Sequence, residues 1–438
     1  MDTTLERFAV HACFDGSRPR SLVASSDGAR LYLESMRIGE RLIEPAGDRV
    51  VIAAGTERCV DYQVKLQPAR TEVQTGGPET RRFGRNLLTS IGDWLWRPDE
   101  PQTDIELRFD LPAGFEVSAP WPRQTTSPET AVFVLGATPH DWSGVVALGR
   151  FTPRAIEVPG AVLHVAMLNV SASRQTQLEH WIEGAARNAA QLYGRFPVPR
   201  VQIIVVPARG GTSPVPWAYV SRGGGPAIHL FVDTTRPLSE LEHDWSLTHE
   251  MSHLFLPYVV SRDAWLFEGI PTYLQNVLMA RGGAIDVELA WARMRSGFQS
   301  GARVHPELSL ARANDRIAYG NSLRVYWAGA AMMLRADILL RERSRGTQSL
   351  DSALEQLSRC CALEPRRWSA QEVIARLDEL TATTIFSDVA RDQFAAEGFP
   401  DYAYTLARAG VIFDGGQLTF DNAAPWAAER DALMRSAR

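Results

Sequence analysis

His249, Glu250 and His253 stand together in Thr248-His-Glu-Met-Ser-His-Leu254, an H-E-x-x-H run, and Glu268 follows fifteen positions beyond the second histidine in Trp265-Leu-Phe-Glu-Gly-Ile-Pro-Thr-Tyr273. On a helix, residues four apart share a face, so both imidazoles can bind one metal ion while Glu250, one step round, points toward a water on that metal. Catalytic zinc takes three protein ligands and one open position, which two histidines and a carboxylate satisfy. The chemistry of such a set is hydrolysis by metal-activated water. Composition alone would generate the motif in about one such chain in a hundred, so chance explains it poorly. A lone histidine is more often a core residue bonded to a backbone carbonyl, and a lone glutamate more often a solvated face residue. Two histidines with the glutamate between them reverse those odds. Glu268 sits in the apolar run Ala264-Trp-Leu-Phe-Glu-Gly-Ile-Pro271, where an ionised carboxylate is costly to bury without a cation beside it.

The elements that must position these residues are partly marked. Thr235-Arg-Pro-Leu-Ser-Glu-Leu-Glu-His-Asp-Trp245 places a proline where a helix can start and acidic residues in its first turns, and Pro257 fits a stop just past His253. The spacing predicts one helix of about 20 residues with the metal pair near its C-terminal end. Pro271 requires a second helix that either begins near Glu268 or is kinked there.

These residues resemble the gluzincin zinc metallopeptidases, in particular the clan of aminopeptidase N and the glycyl aminopeptidases, and within it the glycyl aminopeptidase-like branch. Trp265-Leu266-Phe267-Glu268-Gly269 through Tyr273 matches the clan's W-L-x-E-G-x-x-x-Y block position by position. Arg324-Val-Tyr-Trp-Ala-Gly-Ala-Ala331 is similar to its Y-x-x-G-A segment, which carries a catalytic tyrosine. The resemblance is closest over residues 160–360, where Leu339 to Leu354 also looks like a glycyl-aminopeptidase pattern of helix, Gly turn and second helix opened by Ser349. It implies one zinc ion per chain on His249, His253 and Glu268, with Glu250 as general base and Tyr326 donating a hydrogen bond to the oxyanion. Without that family context Tyr326 reads as a helix tyrosine packed beside Val325 and Trp327.

The resemblance further implies a metallopeptidase acting on peptide or protein substrates, aminopeptidase-like in kind. Two departures bear on this. The interval from His253 to Glu268 is shorter than in aminopeptidase N by about one helical turn. The glycine-rich stretch Arg209–Pro226 contains no glutamate, whereas the clan's aminopeptidases place a G-x-M-E-N glutamate there to bind the substrate's free amine. That stretch also lacks the lysine and spacing of a phosphate cradle, and it reads as an edge strand and loop beside the substrate cleft. The alternatives are a non-catalytic peptide- or protein-binding module on the gluzincin fold, and hydrolysis of a non-peptide substrate such as an epoxide.

With 438 residues and 45% hydrophobic content, the chain can bury a large core and is expected to form a multidomain α+β protein. Residues 1–157 read as an N-terminal β-sandwich, from the strand patterns Arg30–Glu34, Val50–Ala54, Cys59–Leu66, Asp104–Phe109 and Ala131–Gly136 between turn residues. Residues 158–345 read as a thermolysin-like catalytic domain with strands at 161–167 and 201–207, an edge strand Ala227–Asp233 and a helix around Gln175–Tyr193. Residues 346–438 read as a C-terminal helical region. Thr71–Arg82, rich in Gly, Pro and Thr, is expected to be a mobile loop.

A net charge of −5 and a pI near 6.0 leave no electrostatic footprint for nucleic acid. No apolar run is long enough to span a membrane. Met1 to Phe8 lacks the form of a secretory signal, so a cytoplasmic location is expected, or a periplasmic or secreted one if a signal precedes this numbering. Of the four cysteines, Cys13 and Cys59 could meet in the N-terminal domain, whereas adjacent Cys360 and Cys361 are not expected to bridge each other.

Overall fold

The computed structural model describes residues 1, 3–15, 18–52, 57–66, 80–99, 104–124, 130–415 and 417–435. They fall into two compact units: Met1–Ile156 with Val162–Thr176 and Arg200–Thr235, and Glu157–Ala161 with Gln177–Pro199 and Arg236–Arg438. The chain is mixed α+β, many-stranded in its N-terminal part and helical in its C-terminal part.

In the first unit, antiparallel pairing follows sequence alternation. Along Cys59–Lys65, Val60, Tyr62 and Val64 are buried and Asp61, Gln63 and Lys65 exposed, the period-2 pattern of a sheet with one wet face. This strand lies between Arg7–Cys13 and Leu33–Ile38, and Arg41–Ile43 extends the same sheet. Its inner face joins one large core with Phe8, Met36, Trp96, Phe109 and Phe133. The strand expected at Arg30–Glu34 is instead a short helix, Asp27–Leu31, followed by the strand from Leu33. The reason is local: the Ser26 hydroxyl accepts from the Gly28 N–H and Asp27 lies in the first turn, an N-cap that outweighs weak alternation. The expected loop at 71–82 falls mostly outside the described residues, and its end belongs to the strand Arg81–Phe83.

A five-stranded sheet follows, in the order Arg154–Val158, Ala161–Met167, Arg200–Pro207, Ala227–Val232 and Trp217–Ser221. The central strands run parallel, with the helix Ala172–Ala190 as the crossover. Ala227–Val232 is not the edge strand expected of it. All six of its residues are buried, as an interior strand requires, and Trp217–Ser221 pairs antiparallel on its outer side as the true edge.

The second unit is built on helices. Gly269–Arg281 is buried at every position but Ala280, the mark of a helix surrounded by protein. It packs on Ser322–Ser344, which ends at Arg345 and Gly346, both in the left-handed conformation. Leu350–Cys361 then opens with the Ser349 capping box, in line with the helix, Gly turn and helix expected there. The C-terminal residues add helices at Ala370–Thr381 and Ile385–Phe394 and an unexpected two-stranded sheet, Val411–Asp414 with Gln417–Phe420. Among the described residues no helix is long and apolar enough to cross a membrane.

Cys13 and Cys59 are joined, as their strands are paired directly opposite. Cys360 and Cys361 are joined as well, against expectation. Their sulfurs meet across a single peptide at the last turn of the helix, with Cα atoms 3.7 Å apart.

Candidate metal centre

The expected 20-residue metal helix is two pieces, Leu238–Glu242 and Ser246–Ser252, with His253 opening a final 3-10 turn through Phe255. The break has a local cause. The Asp244 side chain accepts from the Ser246 N–H at 2.8 Å, a local turn that competes with continued helix. The chain leaves helical geometry before Pro257, where a stop was expected. His249 and His253 lie four apart and both are buried, their ring centroids 5.0 Å apart and their planes nearly perpendicular.

Glu268 sits at the joint between the helices Ala264–Phe267 and Gly269–Arg281. Its N–H donates to the Ala264 carbonyl and its own carbonyl accepts from the Thr272 N–H, so the second helix begins at Glu268 without a chain break. Pro271 falls in the first turn, where a missing N–H costs nothing. The Glu268 Oε2 lies 3.2 Å from His249 Nε2 and 3.5 Å from His253 Nε2. A tetrahedral zinc with bonds of about 2.0–2.1 Å sets its donor atoms about 3.3 Å apart; Glu268 stands near that distance from both imidazoles, and the three donor atoms all lie within 4.8 Å of one another. Among the described residues, His11, Cys13 and Cys59 form the one other group of this kind.

Burial opposes charge at Glu268, but the two imidazoles override it and hold the carboxyl well below the ordinary range. Burial likewise disfavours the charged form of His249, and the Glu268 carboxylate outweighs it and raises the imidazole. The other ring nitrogen of His249, Nδ1, lies 2.8 Å from Gln275 Oε1. An amide oxygen only accepts, so His249 Nδ1–H donates to it, and Nε2, which faces the carboxylate, is the nitrogen at which a metal ion would replace the proton.

Glu250 is 7% exposed, and its charge acts on both His249 and Tyr326. Tyr326 projects from Ser322–Ser344 with its ring stacked along that of His249, centroids 6.5 Å apart and planes 19° from parallel. Burial, then the negative charges of Glu268 and Glu250, push its pKa far up, so it keeps its proton at neutral pH and remains a donor. All five residues singled out in the sequence therefore meet in one place.

Sequence reasoning missed three supports. Gln275 was passed over, although it lies seven residues past Glu268 and so returns to the same helix face. The second is a helix crossing: a Cβ on Gly329 would stand 2.0 Å from the Trp265 carbonyl oxygen and 2.9 Å from the Gly269 Cα. Only glycine lets the Tyr326 helix approach this closely. The third is Asp337, whose carboxylate accepts from the Tyr273 hydroxyl at 2.8 Å, Arg341 Nε at 3.0 Å and the Leu350 N–H at 2.8 Å. Tyr273, the last residue of the W-L-x-E-G-x-x-x-Y block, thus anchors its helix through Asp337.

No protein-family model matches the sequence, nor does any curated protein. Solved structures do match. An aminopeptidase N family protein from Idiomarina loihiensis superposes with a TM-score of 0.72 at 14% identity, over 97% of this chain and 81% of that one. An M1 zinc metallopeptidase from Deinococcus radiodurans matches with a TM-score of 0.56 at 14% identity, over 90% of each chain. A mutant of an M1 zinc metallopeptidase from the same organism, bound to a Tyr-Ser-Ala substrate, matches with a TM-score of 0.57 at 13% identity, over 90% of this chain and 91% of that one. By this likeness in architecture the chain has the gluzincin aminopeptidase-like fold of these M1 zinc metallopeptidases.

Proposed function

We propose that this chain is a zinc-dependent metallopeptidase, with His249, His253 and Glu268 as ligands, Glu250 as general base and Tyr326 as oxyanion donor. The convergence of three donor atoms within 4.8 Å of one another with a buried glutamate and a protonated tyrosine carries the reading. One zinc per chain, when bound, would polarise a carbonyl and acidify a water. Glu250 would take the proton of the attacking water and later return it to the leaving amine. Tyr326 would donate its hydroxyl proton into a hydrogen bond with the oxygen that gains charge as the carbonyl carbon becomes tetrahedral. Gln275 would keep His249 in the tautomer that presents Nε2. We assign this chemistry to a thermolysin-like catalytic domain spanning 158–345, between an N-terminal β-sandwich (1–157) and a helical region (346–438).

The Gly329 crossing gives a first test of geometry. In Gly329→Ala the new methyl meets backbone, which cannot turn aside, so the Tyr326 helix must withdraw from Glu268. Overpacking of this kind costs about 1–3 kcal/mol, and a displacement of about 1 Å at a reacting group costs about 100-fold in rate. Thermal melts and kcat/KM of the purified variant check both. A variant at wild-type rate would remove the crossing from the account.

The stretch Arg209–Pro226 contains no glutamate of the kind that would bind a substrate amine. We therefore take the peptide bond as the substrate class and leave the free N-terminus out of recognition. A library of N-terminally free and N-terminally blocked peptides tests this. Cleavage of blocked peptides at rates comparable to free ones is expected; cleavage of free peptides alone would restore a strict aminopeptidase, and cleavage of neither would overturn the peptidase reading.

A further inference from the structure

We infer that His11, Cys13 and Cys59, backed by Asp61, form a second, redox-gated metal site for a borderline-soft divalent cation such as Zn²⁺, independent of the hydrolytic centre. The strands Arg7–Cys13 and Cys59–Lys65 pair antiparallel with Cys13 opposite Cys59 and His11 opposite Asp61. The Phe14 N–H donates to the Arg58 carbonyl, so the neighbouring Cys13/Cys59 position is a narrow, non-hydrogen-bonded pair, and so is His11/Asp61 two residues on. The narrow pairing brings the cysteine Cα atoms within 4.1 Å. Period-2 alternation then puts all four side chains on the face opposite the buried Val60 and Tyr62.

The imidazole is oriented as a ligand. His11 Nδ1 lies 2.6 Å from Asp61 Oδ1 and His11 Nε2 lies 3.0 Å from Cys13 Sγ. The carboxylate fixes the Nδ1–H tautomer, which leaves the Nε2 lone pair facing the sulfurs, the arrangement in which carboxylates hold zinc-binding histidines. The ligand atoms of His11, Cys13 and Cys59 all lie within 4.8 Å of one another.

While the disulfide stands, the sulfurs cannot serve as thiolates and the site is closed. A dithiol reductant opens it: two electrons and two protons pass to the disulfide, giving two thiols, and the reductant becomes a disulfide. Binding M²⁺ then releases both thiol protons, and the two thiolates, the neutral imidazole and one solvent position complete four coordinates. Zinc–sulfur bonds of about 2.3 Å place the two sulfurs about 3.8 Å apart, a separation that rotation about the two Cα–Cβ bonds supplies without moving the strands.

The test uses the full chain carrying Cys360→Ser and Cys361→Ser, so that Cys13 and Cys59 are its only sulfur pair. A phosphine reductant, which takes up water's oxygen as phosphine oxide while the disulfide gains two hydrogens, is removed anaerobically before Co²⁺ is titrated. The hydrolytic centre has no sulfur ligand, so a thiolate-to-cobalt charge-transfer band reports this site alone. The band is expected after reduction, absent from the oxidised chain, lost in Cys13→Ser, and weakened in Co²⁺ affinity by about 10-fold or more in His11→Ala. His11 is exposed, so that variant tests the site even if Cys13→Ser folds poorly. Absence of the band in the reduced chain, or a band indifferent to His11→Ala, would overturn the proposal.

Discussion

Glu250→Gln is expected to keep its zinc and to lose turnover by about 100- to 10,000-fold, the range general-base catalysis contributes. Glutamine has nearly the same shape and fills the same buried position on Ser246–Ser252, so the ligands around it have no reason to move. What it lacks is a basic oxygen, and without one no group there can take the proton of the attacking water. The variant also removes a negative charge that acts on His249 and Tyr326, which leaves Tyr326 still protonated and still a donor. Steady-state kinetics on a peptide from the cleavage library, beside elemental analysis of the same preparation, separates chemistry from metal binding. Wild-type turnover in Glu250→Gln would remove the general-base assignment.

Asp337→Ala is expected to cost about 3–5 kcal/mol of stability, the range found when one partner of a buried ionic network is removed. Asp337 is fully buried and joins three elements: the Tyr273 hydroxyl on one helix, Arg341 on its own helix, and the first N–H of the Leu350–Cys361 helix. Arg341 would keep only Asp351, which it shares with Arg281, and two buried donors would lose their acceptor. Chemical denaturation followed by circular dichroism checks the magnitude. A change under about 1 kcal/mol would mean that solvent or a shifted side chain takes over these bonds.

Much of the site was legible because its signals are local and chemical. H-E-x-x-H sets two histidines and a glutamate on one helical turn, and Glu268 stood out as a charge in an apolar run. What the sequence could not show depends on distant partners. Gln275 and Asp337 are unremarkable polar residues until the fold sets His249 beside one and Tyr273 beside the other. Gly269 and Gly329 were visible as motif letters, but their need appears only where two helices cross at backbone distance. In the fold, errors came where a short-range feature competed with periodicity. The Ser26 cap made a helix of an expected strand start, the Asp244 turn divided an expected long helix, and a fully buried strand read as an edge lies inside its sheet.

Zinc content is the decisive measurement for His249, His253 and Glu268 as the holders of one catalytic zinc. Elemental analysis should compare wild type with His253→Ala, both purified without added metal and with the Cys13–Cys59 bond intact. Close to one zinc per chain is expected in wild type, and loss of both zinc and peptide cleavage in the variant. Peptide cleavage by a zinc-free wild-type chain, or undiminished zinc in His253→Ala, would contradict that assignment.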